Sequence, residues 1–228
     1  MKFTSTLIKG KLIKRYKRFF ADIKVNNSTL TAHCPNTGSM MGLLDEGNDV
    51  WISKNDDPKR RLKYTLEIIK VSKKLIGVNT HRANRIVEHG LRNKLFDEFK
   101  SVKLIKPEFK FSNDTRFDFL CDKNIIEVKN VTLLRKKELA EFPDAITSRG
   151  SKHLLQLIKS LKKGYNAYVL FLTQIQDINS FKIAKDIDSN YFKDYLEAKK
   201  AGVNFLAYRC CLNSKEIKIE KKIKILND

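Results

Sequence analysis

Two carboxylates and one amine have the types and spacing for phosphodiester chemistry. Arg116-Phe117-Asp118-Phe119 sets an acid between two phenylalanines, and Glu127-Val128-Lys129 follows with eight residues between Asp118 and Glu127. On a β-strand, residues i and i+2 share a face, so Glu127 and Lys129 point the same way, and an antiparallel neighbour can bring Asp118 beside Glu127. Two hard oxygen ligands with open positions suit Mg²⁺ or Mn²⁺, which lowers the pKa of a bound water and holds a phosphate oxygen. Lys129 can then orient the attacking water or neutralise charge developing on phosphorus. The tripeptide alone is weak evidence, because an acid two positions before a lysine recurs at Asp22, Asp57, Glu98, Glu108, Glu197, Glu216 and Glu220. Context separates Glu127 from these. Ile125, Ile126 and Val128 make its segment apolar enough to bury, and a buried carboxylate needs a cation or several donors. A metal and a structural ion pair with Lys129 or Arg116 both meet that need, and the residues leave both readings open.

Four further groups bear on the same chemistry. Glu88 stands with Asn84, Leu91 and Leu95 at the edge of an apolar helical stripe, where its carboxylate either reaches toward the sheet or pairs with Arg85 or Arg92. Arg149, Lys152 and His153 fall at the start of an expected helix, where free N–H groups and the helix dipole favour an anion; an ordinary solvated face is the alternative. Lys14, Arg15, Lys17 and Arg18, interleaved with Tyr16, Phe19 and Phe20, form a basic and aromatic cluster of the kind a nucleic-acid surface carries. Asn36 and Thr37, ahead of Gly38, form either a phosphate-receiving turn or simply a tight turn between strands. His33 and Cys34 point to opposite faces of a strand and no second pair completes a tetrahedron, so packing or DNA contact is expected there instead of metal.

The elements that must position these residues divide the chain in two. Residues 1–79 read as short strands at 16–25, 29–33, 49–52 and 63–71, punctuated by turn residues, which fits a small OB-like β-barrel. From Thr80, placed to cap it, a helix with Ala83, Ile86, Val87, Gly90, Leu91 and Leu95 on one side opens residues 80–228. Strands at 103–110, 115–121 and 125–131 follow, then a long connection and a helix over 151–163 closed by Gly164. Buried strands at 167–173 and 203–210 flank a helix over 191–201, and 216–225 alternates as a charged edge strand. The fold class is α+β: a barrel followed by an α/β domain.

Composition constrains the partners. Lys and Arg exceed Asp and Glu by 20 among 228 residues, and each cation placed on a phosphate releases a counterion, so DNA leads the expected partners. Lysine far outnumbers arginine, so compositional drift in a small-ligand or protein-binding regulator is the rival reading. No apolar run is long enough for a transmembrane helix and no signal-peptide core is evident. The four cysteines show no paired spacing, so reduced thiols, no membrane and a cytoplasmic location are expected.

Several phrases occur in order along the chain. They are Lys17-Arg18-Phe19-Phe20-Ala21-Asp22, His33-Cys34-Pro35-Asn36-Thr37-Gly38-Ser39-Met40, Ala83-Asn84-Arg85, the two acidic phrases given above, with the second running on to Leu133, Phe142-Pro143-Asp144-Ala145, and 147–154 from Thr147 to Leu154. With these the sequence resembles, over essentially its whole length, the bacterial and archaeal sugar fermentation stimulation protein A family. The resemblance implies an OB-like domain joined to a domain resembling the PD-(D/E)xK nucleases, DNA binding without sequence preference, and a link to regulation of sugar use. By that pattern Asp118 and Glu127 would be the metal carboxylates, Lys129 the motif lysine and Glu88 the first-helix acid, with an active Mg²⁺-dependent nuclease as the alternative to a binding role. Phe117 departs from the proline for which the nuclease motif is named.

Overall fold

Five strands, β1 (Ile8–Tyr16), β2 (Phe20–Val25), β3 (Ser28–His33), β4 (Asp49–Lys54) and β5 (Tyr64–Val71), pair in the order β3-β2-β1-β4-β5 in a computed structural model that describes residues 1–226. A parallel pairing of β3 with β5, at Ala32 with Tyr64 and His33 with Thr65, closes them into an OB barrel. Period-two alternation drives the closure: Leu12, Ala21, Ile23, Val50, Ile52 and Leu66 fill the interior, while the intervening lysines face water.

The chain turns within the strand expected over 16–25. Lys17 and Arg18 take left-handed φ angles of +45° and +61°, which closes a hairpin between Tyr16 and Phe20. β1 precedes that turn. It escaped sequence reading because only Ile8, Gly10 and Leu12 mark its inner face among lysines. β6 (Lys74–Gly77) then pairs with β5 and ties the barrel to the rest of the chain, with the Gly77 N–H donating to the Gln174 carbonyl at 2.8 Å.

The remaining elements are α1 (Ala83–Arg92), β7 (Ile105–Ser112), β8 (Thr115–Cys121), β9 (Asn124–Val131), β10 (Leu133–Lys136), β11 (Leu139–Phe142), α2 (Ser148–Leu161), β12 (Asn166–Thr173), β13 (Ser180–Ile183), α3 (Ser189–Ala201), β14 (Asn204–Leu212), β15 (Ile217–Lys222) and β16 (Lys224–Ile225). Six of the strands form a mixed sheet ordered β15-β14-β12-β9-β8-β7, with β12 parallel to both neighbours. Ala83, Ile86, Val87 and Leu91 of α1 pack with Ile126, Val128, Leu170 and Leu172 on one face. Leu154 and Leu157 of α2 and Tyr191, Tyr195 and Ala198 of α3 pack with Ile125, Val131, Val169 and Phe171 on the other. That second core runs without a break into the barrel interior. Strands covered on both faces read as near-continuous apolar runs, which is why β12 was legible.

Three local expectations differ. Asn79, not Thr80, caps the 3₁₀ turn 80–82 that leads into α1, its carboxamide oxygen accepting the His81 N–H at 3.1 Å, while the Thr80 hydroxyl donates to the Pro35 carbonyl at 2.6 Å and α1 itself has Arg82 at its N-cap position with no side-chain cap bond. The α-helix ends at Arg92, which leaves Leu95 exposed and off the apolar stripe. The long connection before α2 holds β10 and β11, which join β13 and β16 in a separate four-stranded sheet, so 216–225 supplies an edge strand to one sheet and a short strand to another. Among the described residues no helix is long and apolar enough to cross a membrane.

Candidate active site

Asp118 sits where β8 begins to part from β9. The antiparallel register pairs Cys121 with Asn124, Leu120 with Ile125 and Phe119 with Ile126, so the next step sets Asp118 opposite Glu127. There the ladder stops. The Val128 N–H donates to Asp118 Oδ2 at 2.7 Å in place of a strand carbonyl. The alternation of faces also breaks at this residue, since Phe117 packs on the α2 side and Phe119 on the α1 side. Glu108 on β7, between the partners of Phe119 and Phe117, has φ of +52°. Such irregularities re-aim side chains beside functional sites. Asn84, on the first turn of α1, completes the hold by donating to Asp118 Oδ1 at 2.7 Å.

Glu127 is 4% exposed, in the middle of a strand covered on both faces. Its Oε1 accepts from Lys129 Nζ at 2.8 Å and makes a short contact with His153 Nδ1 from the second turn of α2. Its Oε2 is buried without a partner. α2 is placed by a chain of caps that brings His153 in: the Gly150 N–H donates to Thr147 Oγ1, and Asp188 accepts the N–H groups of both Thr147 and Tyr191. Gly150 is required at that point, because a Cβ would strike Thr147 and crowd the Tyr191 ring.

The electrostatics follow from this burial. Desolvation, and then the nearby Glu127 charge, push the Asp118 carboxyl up from 3.8 to about 6 against its two donated hydrogen bonds. Burial pulls Glu127 the same way, but Lys129 and His153 outweigh it and hold its carboxyl below the ordinary value. The Tyr191 phenol, wholly buried and without a hydrogen-bond partner, is driven well up by desolvation and then by Glu127.

A hard divalent cation fits these residues. The ion pair with Lys129 is present, yet it leaves Glu127 Oε2 unsatisfied, and a buried orphan oxygen costs about 1–3 kcal/mol unless something occupies it. Two carboxylates with remaining positions for water and phosphate match the ligation of Mg²⁺ or Mn²⁺. Glu88 is not gathered with them. Its Oε1 accepts from Arg92 Nε and Nη2 at 3.0 and 2.7 Å, and among the described residues no cluster of three or more His, Cys, Asp or Glu is set to hold a metal.

Beyond His153 lies a cavity of about 380 Å³ whose walls include Lys110, Arg116, Arg149 and Lys152. Lys110 and Arg116 were not among the expected phosphate contacts; the only signal was a lysine and an arginine paired across β7 and β8. Arg18, Asn36 and Thr37 line a second cavity between the barrel and the other domain. Lys17 is exposed on its hairpin turn, and Lys14 stands over the Tyr16 ring at 5.5 Å. Arg15 differs from expectation. Its guanidinium donates to the carbonyls of Asn36 at 2.7 Å and Gly38 at 3.1 Å, and its Nε to that of Arg18, so it braces two turns from within. Asn84 and His153 as partners of the two acids were also outside sequence reading.

The sugar fermentation stimulation protein RE domain model matches residues 81–216 and the corresponding N-terminal OB domain model matches residues 13–78. The chain belongs to this family. A sugar fermentation stimulation protein homolog from Pelagibacter ubique is 66% identical over the full length of both chains. Homologs from Syntrophotalea carbinolica and a Marinomonas species are 41% and 40% identical, over 100% of both chains and over 99% of this chain and 90% of the other, respectively. Among solved structures, that titled as Pyrococcus furiosus SfsA in complex with Ca²⁺ superposes with a TM-score of 0.89 at 24% identity, covering 100% of this chain and 98% of that one. The shared fold is therefore that of the sugar fermentation stimulation proteins, barrel and second domain together.

Proposed function

We propose that the protein binds DNA through its phosphate backbone, without sequence preference, along the basic cavity that adjoins Glu127. The observation that carries the reading is the pairing of that cavity with the Asp118 and Glu127 carboxylates: Lys110, Arg116, Arg149 and Lys152 supply cations, and His153 joins the cavity to Glu127. The excess of 20 positive charges supports it, because counterion release sums over contacts. Fluorescence anisotropy with short duplex and single-stranded DNA of unrelated sequences tests it. Affinity is expected to fall steeply with salt and to vary little with sequence, and affinity indifferent to salt overturns the reading.

Hydrolysis of the bound phosphodiester is a second reading, favoured by the unpartnered Glu127 Oε2. Asp118 and Glu127 would hold Mg²⁺ or Mn²⁺, which supplies a water of lowered pKa and neutralises charge on the phosphate. Asn84 and the Val128 N–H fix Asp118, Lys129 keeps N–H directions for a phosphate oxygen while bonded to Glu127, and Arg149 and Lys152 draw the strand in. The Ca²⁺ named with the Pyrococcus furiosus protein supports divalent binding at this fold. Purified protein with Mg²⁺ or Mn²⁺ is expected to cleave DNA, and Glu127→Gln and Lys129→Ala to lose that cleavage. Equal cutting by all three assigns the activity to a contaminant.

A further inference from the structure

The barrel meets the second domain at the turn from Asn36 to Met40. Gly38 has no room for a side chain, because the Asp144 carboxylate lies against its Cα, and the Ser39 hydroxyl donates to the Asp144 carbonyl at 2.8 Å. This contact leaves a cavity of about 330 Å³ beside it, with walls from both domains. Its chemistry differs from that of the basic cavity near His153. Arg18 is its one cation and Asp144 its one acid; the other polar groups are neutral, namely the amides of Asn36 and Asn130 and the hydroxyls of Thr37, Thr80, Thr132 and Thr147.

Two of those groups lack partners. Asn36 is 3% exposed, its Oδ1 accepts the Gly38 N–H at 2.9 Å, and its Nδ2 has no acceptor. Asn130 Oδ1 accepts from Gln174 Nε2 at 2.6 Å, and its Nδ2 is likewise buried and unpaired. Two orphan amide donors at one cavity call for a ligand with acceptors, since each unmade bond costs about 1–3 kcal/mol. Phe142 and Ile146 add apolar wall, which suits a flat ring. Asn130 follows Lys129 on β9 by one residue and points to the other side of the strand, so the cavity lies next to the acidic site and not within it. Thr147 stands two residues before Arg149 of the basic cavity. The start of α2 thus lies between the two cavities, and a polynucleotide held along the basic cavity brings the base of a nearby nucleotide within reach of this place.

We infer that the interdomain cavity receives one unstacked nucleobase of the bound DNA, held by the Asn36 and Asn130 amides and the Thr132 hydroxyl, next to the phosphate at Asp118 and Glu127. The inference rests on the DNA-binding reading and assigns a subsite that reads a base, while the basic cavity reads only the backbone. Extruding a base costs a few kcal/mol, least where it is already unpaired, so DNA with an unpaired nucleotide is the preferred form.

The test compares three duplexes in EDTA, so that no cleavage enters: one fully paired, one with a single unpaired deoxyadenosine, and one with an abasic residue in its place. The wild-type protein is expected to bind the unpaired-deoxyadenosine duplex about tenfold more tightly than the abasic one, and 2-aminopurine at that position to change its fluorescence on binding. Thr132→Val, which is isosteric, and Asn36→Ser, which adds no charge and keeps an oxygen acceptor near the Gly38 N–H, are expected to bring the ratio near one. The ratio cancels any uniform change in affinity. Equal binding of the three duplexes by the wild type overturns this inference and leaves backbone binding standing, whereas no binding to any of them overturns both. Tight calorimetric binding of free deoxyadenosine without DNA assigns the cavity to a free nucleoside and also overturns it.

Discussion

Replacing Asp118 by asparagine is expected to stabilise the fold at neutral pH and to abolish its response to divalent cations. The folded carboxyl titrates near 6, above its ordinary 3.8, because burial and the Glu127 charge disfavour ionisation. The protonated form is thus favoured by the fold, a contribution that is complete below about pH 3.8 and is lost as the pH rises through about 6. At about 1.36 kcal/mol per pK unit, the ionised group costs on the order of 3 kcal/mol at pH 7.5 relative to an unperturbed aspartate. Asparagine removes that cost but offers one oxygen where two donors, Asn84 Nδ2 and the Val128 N–H, now bond, so about 1 kcal/mol is given back. The net gain is about 1–2 kcal/mol at pH 7.5, or roughly 2–8 °C in melting temperature for a chain of this size. At pH 4.5 only about 1 kcal/mol of that cost remains, so gain and loss nearly cancel, and Asp118→Asn is the less stable protein below about pH 3.8. Mn²⁺ at a hundredfold excess over its dissociation constant adds about 2.7 kcal/mol to the wild type at pH 7.5 and nothing comparable to the variant. Urea denaturation at the two pH values, with EDTA or Mn²⁺, measures all four terms. A variant destabilised equally at pH 4.5 and 7.5 would refute the electrostatic account of this aspartate.

Three other expectations concern separate parts of the molecule. Glu127→Ala leaves Lys129, whose side chain is 13% exposed, without its carboxylate, and is expected to cost about 3–5 kcal/mol, with Glu127→Gln costing clearly less; chemical denaturation distinguishes them. In the barrel, Glu67 is 1% exposed and accepts from Arg82, Ser53 and Asn79, so Glu67→Ala is expected to destabilise by a similar amount, read as a lowered denaturation midpoint. Arg149→Gln and Lys152→Gln are each expected to weaken binding uniformly across DNA sequences and to reduce the slope of log affinity against log salt by about 1, which anisotropy titrations check.

The barrel was legible because period-two alternation and turn residues recur through residues 20–71, and β12 and β14 because strands covered on both faces read as near-continuous apolar runs, Arg209 of β14 excepted. β1 and the small four-stranded sheet were not, since their inward positions are few and their stability comes from strands paired far along the chain. Asp118, Glu127 and Lys129 could be singled out from types and spacing, as could the first turn of α2. Which donor each acid takes was a different matter. Glu88 had Arg85, Arg92 and the sheet within reach, and Arg15 had phosphate or carbonyl oxygens. Only the packing of α1 and of the Asn36–Met40 turn settled these, giving Glu88 to Arg92 and Arg15 to the turns. The Asn84 hold on Asp118, the His153 contact with Glu127 and the cavity between the domains join residues that lie from 26 to more than 90 positions apart. Spacing along a chain fixes which side chains share a face of one element, whereas the competition among partners on different elements is decided by how those elements pack.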